Sequence, residues 1–378
     1  MKREYEKLTQ ENFILEIRER IKGLCPSKAQ KQFVQMVEEQ PEIVNWTSDK
    51  AVPRDVSFVQ FIALKGVDIE FFRDVVEQTS VDVFKQKNVN GKTVLHSAAM
   101  GGNLEIFDYV SRKDPELIEV KTKNNETVLH SAAMGGNLEI FDYVLRSAHK
   151  LIEEKTESNE TVLHSAAMGG NLEIFTCVLS EAPDEMIKQK NIWDVALLHS
   201  AAMGGNLDIF HYVLSRDPEM IRERNKNNET VLYSAIDGGN PDIFDYVLGQ
   251  ASELIEVKTE DNETVLHYAA MCDNPEIFVR ALDQAPEMIR ERNKNNETVL
   301  HYAVLGGSLD IFEFVLKENP EMIGVKSSYG ETVSDYIKSS KEKGFMSIIS
   351  RLSEEGILVN PELEGVSCQS GEIARGRR

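Results

Sequence analysis

No segment of the chain stays apolar for the roughly 18 to 20 residues that a membrane-spanning helix needs. The opening stretch, MKREYEKLTQENF, has no apolar run of secretory-signal type. Cysteine is scarce: Cys25, Cys177, Cys272 and Cys368 stand far apart, with no CxxC pair and no Cys/His spacing suited to zinc. Isolated cysteines of this kind imply reduced thiols in a reducing compartment, so a cytoplasmic location is expected. Positive charge is also short. Lys and Arg number 42 against 63 Asp and Glu, for a net charge of -21. That balance argues against general nucleic-acid binding, which needs a basic footprint to displace counterions, and leaves room for a local basic patch. It equally argues against adhesion to anionic membranes. No nucleophile recurs with a base and an orienting acid, and no phosphate-cradling glycine loop follows a strand. Neither catalysis nor a cofactor is expected.

What the chain has in abundance is itself. LHSAAMGGNL occurs four times without a substitution, from Leu95, Leu129, Leu163 and Leu198. The register set by His96, His130, His164 and His199 continues through Tyr233, His267 and His301, in steps of 34 or 35 residues. Self-similarity at this period marks a solenoid, in which each unit buries its apolar face on its neighbours.

One unit reads as two short helices and a projecting loop. Thr127 is the expected N-cap of a first helix over about Val128 to Met134, since its hydroxyl can accept from a free backbone N–H. Ala132 and Ala133 are small enough to let adjacent helices approach. The Gly135-Gly136 pair is expected to stop the helix. Asn137 caps the second helix; two other units read Asn240-Pro241 and Asn274-Pro275, with proline where a first helical position favours it. Ile140, Phe141, Val144 and Leu145 then form a buried stripe at helical spacing.

The pattern T-x-L-H-x-A-A-x-x-G-N-L-E-I, as it stands from Thr127 to Ile140, resembles the ankyrin repeat. Val94, Val128 and Val162 stand where that family carries proline, and PEMIRERN-type segments replace its usual linker. The resemblance covers seven clear units over residues 88–328. It implies an all-α fold: an ankyrin-type helix-turn-helix solenoid with projecting β-hairpin-like loops. A degenerate unit is expected over 52–87, a C-terminal capping unit over 329–356, an N-terminal helical cap with a half-repeat over 1–51, and a disordered tail from 357.

Six histidines in register invite a metal reading, which spacing argues against. They fall one per unit, and packed helices lie about 8–10 Å apart, too far to share a metal with bonds near 2 Å. The resemblance assigns the Thr and His of T-x-L-H to tying the helix start to the loop.

A binding surface remains. The resemblance implies that loop tips and the ends of the first helices meet a partner protein, with no nucleic acid or membrane involved and a monomeric chain. Met134, Met168 and Met203 occupy helix ends, and methionine suits surfaces that adapt to a partner. The other reading is that each packs on the next unit. The fourth unit breaks the rule: NIWDVALLHS replaces NNETVLHS, so Ile192, Trp193 and Val195 replace polar residues and Ala196 replaces the cap threonine. Exposed tryptophan is a frequent interface hot spot; the other reading folds Ile192 and Trp193 onto the adjacent loop. Glu160 and Lys226 flank this break. The expected function is a non-catalytic protein–protein interaction scaffold. Two alternatives stay open. Near-identical tandem copies resemble ankyrin proteins that intracellular microbes deliver into host cells, which would place the chain in a host cytosol. An enzyme with its activity in the N-terminal helices is the other.

The histidine assignment has a direct check. His164→Ala should destabilise the stack without changing metal content in elemental analysis of the purified protein; stoichiometric zinc that disappears in the variant would overturn it.

Overall fold

The computed structural model describes residues 54–65, 69–77, 83–181, 184–340 and 344–355. The N-terminal cap expected over 1–51 and the tail expected from 357 lie outside the described residues. The chain divides into two units, Met1–Asn225 and Lys226–Arg378. Among the described residues there is no strand, and no helix is long and apolar enough to cross a membrane.

Among the described residues the first unit contains five helix pairs: α1 (Arg54–Leu64) and α2 (Ile69–Glu77), α3 (Val94–Met100) and α4 (Leu104–Lys113), α5 (Val128–Gly135) and α6 (Leu138–Ser147), α7 (Val162–Gly169) and α8 (Leu172–Glu181), α9 (Leu197–Met203) and α10 (Leu207–Arg216). First helices pack on first helices in the order α1, α3, α5, α7, α9, and second helices stack alongside them. The second unit repeats the plan with α11 (Val231–Asp237) and α12 (Pro241–Gln250), α13 (Val265–Met271) and α14 (Pro275–Gln284), α15 (Val299–Gly306) and α16 (Leu309–Glu318), α17 (Val333–Ser339) and α18 (Gly344–Glu354). The core is one layer repeated. In the α5–α6 pair, Val128, Leu129, Ala132, Ala133, Ile140, Phe141 and Val144 are all fully buried. A seven- to ten-residue helix is too short to persist alone, so this burial between repeats is what makes the helices form.

Six of the first helices start on a reciprocal cap. The Thr127 hydroxyl accepts the His130 N–H at 3.4 Å, while the Thr127 N–H donates to His130 Nδ1 at 3.4 Å. The hydroxyl itself stands 2.8 Å from the same nitrogen. A main-chain N–H can only donate, so Nδ1 is the acceptor and the neutral ring carries its proton on Nε2. The same pair recurs at Thr93–His96, Thr161–His164, Thr264–His267 and Thr298–His301. The last unit uses Asp335 instead: its carboxylate accepts the Thr332 N–H (3.0 Å) and hydroxyl (2.8 Å), which with Lys338 pull its pKa down to about 2. Tyr233 drops this cap and reaches into the next repeat, its hydroxyl lying 2.7 Å from the Val257 carbonyl and 3.0 Å from that of Glu263.

Two expectations need correction. Only the second glycine of each Gly-Gly pair turns the chain: Gly136 has φ +71, the left-handed region. Gly135 remains in α5, and a Cβ there would collide with the carbonyl oxygen of Ala99 in α3. The first glycine thus permits contact between neighbouring helices. A repeat also holds more than two helices. A single 3₁₀ turn, such as Pro115–Glu119, His149–Glu153 or Pro218–Arg222, follows the second helix and buries a pair such as Leu117 and Ile118 or Leu151 and Ile152. One turn is too short for periodicity to reveal.

Burial pushes the pKa values of His96, His130, His164, His267 and His301 down to about 4, opposed in part by main-chain carbonyls of the next repeat, such as Glu126 for His96 and Glu160 for His130. Between the free value of 6.5 and about 4, the unfolded chain therefore binds more protons than the folded one. The stability supplied by these neutral rings is full above about pH 6.5 and drains away as pH falls toward 4. Denaturant titrations across that window should show stability falling with pH, and His164→Ala should flatten the slope by up to one proton. An unchanged slope would place His164 outside this linkage.

Candidate partner-binding surface

The projecting loops are built by repetition of one turn. In the fourth unit, buried Asn191 accepts the N–H groups of Trp193 (2.9 Å) and Val195 (3.0 Å) on its Oδ1, closing the turn from inside. Asp194 takes the left-handed conformation at φ +61. Lys190 and Ala196 pair as an isolated antiparallel bridge, like Lys155 and Thr161 one repeat earlier. The loops are then stitched to each other. Ile192 donates to the Ser158 carbonyl (2.9 Å), Asn159 Nδ2 donates to the Lys190 carbonyl (2.7 Å), and Asn191 Nδ2 donates to Glu160 Oε1 (3.1 Å). The equivalent tip bonds run from Lys123 to Asn90 (2.9 Å) and from Glu157 to Asn124 (2.8 Å). A tip in this stack presents its side chains on a hydrogen-bonded main chain rather than on a loose loop.

Against that common frame the fourth tip differs in every side chain. Ile192, Trp193, Asp194 and Val195 stand in the register of Lys123, Asn124, Asn125 and Glu126. Ile192 and Trp193 are 47% and 49% exposed, so neither folds away onto the adjacent loop. Val195 is half-buried at the loop base. Glu160 is also half-buried, and its carboxylate receives the Asn191 amide, so it braces the turn. Of the methionine row, Met134 and Met168 are half-buried, whereas Met203, in the same repeat as Trp193, is exposed. Lys226 is exposed but belongs to the second unit.

The same repeat lacks a side-chain cap. Ala196 is buried and has no hydroxyl, and the His199 N–H donates to the Ala196 carbonyl at 3.0 Å.

Sequence reasoning overlooked Tyr329. It occupies the Trp193 register in the last loop, 34 residues after Asn295, and is 72% exposed, the most exposed of the large apolar side chains described. The spacing was available to find it, but SSYGETVS departs from NNETVLH at the tip and lacks the histidine that marks the register. The row Tyr268, Tyr302 and Tyr336 also stands where earlier repeats carry serine. In the second unit the hydroxyls of Tyr302 and Tyr336 hold Glu263 and Glu297, whereas in the first unit Lys92 and Ser131 hold Glu126.

Comparison with known families agrees with this geometry. A family model described as ankyrin repeats (3 copies) matches residues 54–154, 113–191, 163–255 and 249–326. No curated protein matches the chain.

Ala196→Thr should restore the missing cap beside His199 and raise stability by about 0.5–2 kcal/mol. Equilibrium denaturation checks this; a loss of stability would show that the fourth repeat has no room for the hydroxyl.

Proposed function

Because the chain belongs to the ankyrin repeat family, we propose that it is a non-catalytic scaffold that holds a partner protein on the loop tips and first-helix ends of its first unit. Ankyrin repeats generally mediate protein–protein interaction. The observation that carries the reading for this chain is the fourth tip. Two adjacent large apolar side chains, Ile192 and Trp193, stand half-exposed on a turn whose main-chain N–H groups are all hydrogen-bonded. Scattered single apolar residues on a surface need no explanation. An adjacent pair including tryptophan, held on a pre-ordered turn, is the composition of an interface anchor, and pre-ordering lowers the entropy lost on binding.

The energetics of the repeat point the same way. Loss of the cap threonine costs about 0.5–2 kcal/mol, and exposure of Ile192 and Trp193 forgoes their burial. Neither change improves the stack. Both are offset once a partner covers the tip. Met203 extends the apolar surface at the helix end of this repeat, with Met168 and Met134 continuing the row at partial exposure. Their unbranched side chains adapt to a partner's shape. Val195 supports the tip from its base, and Glu160 fixes the turn through Asn191.

The test is affinity capture with the full chain, identification of bound proteins by mass spectrometry, and titration of the recovered partner. Trp193→Ala should weaken binding by about 2 kcal/mol, roughly 30-fold, while the thermal midpoint stays within about 2 °C. Tyr143→Ala, on the second-helix face, serves as the control that keeps the partner. Unchanged affinity with a lowered midpoint would assign Trp193 to the fold instead.

A further inference from the structure

We infer that the fourth tip receives a segment of a partner protein that presents an apolar side chain beside a lysine or arginine; this rests on the binding role proposed for the tip. The observation is a displaced charge. The left-handed position of the turn is asparagine in five other repeats, Asn125, Asn159, Asn228, Asn262 and Asn296, and asparagine tolerates positive φ well. The fourth repeat alone places aspartate there, Asp194, and it is exposed. One residue on, Val195 replaces the loop-base glutamate that the same five repeats carry, Glu126, Glu160, Glu229, Glu263 and Glu297. The carboxylate has moved one residue outward, from the braced base of the loop to its free edge.

A second carboxylate stands nearby. Glu157 holds the Ile192 register in the preceding loop, and the two tips are joined by the Ile192 to Ser158 bond of 2.9 Å. Glu157 is exposed, and neither Glu157 nor Asp194 forms an ion pair among the described residues. The lysines of the fourth repeat are committed elsewhere: Lys190 pairs with Glu223 at 3.0 Å, and Lys188 lies 3.7 Å from Asp217. The Ile192–Trp193 pair is thus bordered by two carboxylates with no cation of their own. An apolar anchor excludes water from the rim beside it, and a charge placed there sets partner choice and encounter rate more than total affinity.

The test uses a phage library of random peptides, about twelve residues long, selected against the full chain. The best peptide is synthesised and titrated against wild type, Trp193→Ala and the double variant Glu157→Gln/Asp194→Asn. Asp194→Asn introduces the residue that five other repeats carry at this backbone position, so the variant keeps its turn. Recovered peptides should carry an aromatic or aliphatic residue next to Lys or Arg. Affinity should fall about 10-fold or more in Trp193→Ala and about 3- to 10-fold in the charge variant. Raising salt should weaken binding to wild type and have little effect on the charge variant. Peptides that need Trp193 but bind the charge variant unchanged overturn the cationic partner and leave the role of the tip standing. A library that yields no peptide sensitive to Trp193→Ala overturns both.

Discussion

The buried threonine–histidine pair is the interaction that starts the first helix in five of the repeats and against which the others are read. It does two things that a short helix cannot do for itself. It satisfies the first free N–H groups of the helix, and it places a neutral imidazole against the main chain of the following loop. The units that depart from it separate these roles. Asp335 keeps the cap with an acidic side chain. Tyr233 keeps the reach to the next loop through its hydroxyl and gives up the cap. Ala196 gives up the threonine side of the pair altogether. Such exchanges are tolerated because each helix is held mainly by its neighbours' apolar side chains, so a cap tunes local stability by about 1 kcal/mol without deciding the fold.

The fourth repeat therefore stands out for a physical reason. Its core stays apolar and buried: Leu197, which stands where other repeats carry valine, and Leu198, Ala201, Ala202, Ile209 and Phe210 are as buried as their counterparts. The departures that change the chemistry of the tip lie in the loop and cap. Polar tips become Ile192 and Trp193, the left-handed asparagine becomes Asp194, and the braced glutamate becomes Val195. A surface that had drifted freely would retain mixed polar chemistry, because water rewards it. This one gained apolar area and moved its charge to the edge, a combination that favours association.

Much of the fold was legible before any coordinates. The 34-residue period, the cap at Thr127, the cap at Asn137 and the buried stripe of Ile140, Phe141 and Val144 each follow from a residue type at a fixed offset, and each appears in place. The failures share a cause. Gly135 looked like a helix stop, but its requirement comes from the Ala99 carbonyl of another repeat, a contact no local pattern encodes. The 3₁₀ turn after each second helix is one turn long and leaves no periodicity. Tyr329 was missed because the terminal loop departs from consensus at the very residues used to set the register.

The sequence by itself determined the repeat, its length, its helix starts and the unit that breaks the pattern, because capping and apolar spacing are local properties written residue by residue. Tertiary structure alone decided which side chains face water. Of four residues that break the pattern at the fourth tip, Ile192, Trp193 and Asp194 are exposed and Val195 is half-buried. Of two acids beside them, Glu160 is engaged by Asn191 and Glu157 is not. Those outcomes depend on how one loop hydrogen-bonds to the next, and that geometry exists only once neighbouring repeats have stacked.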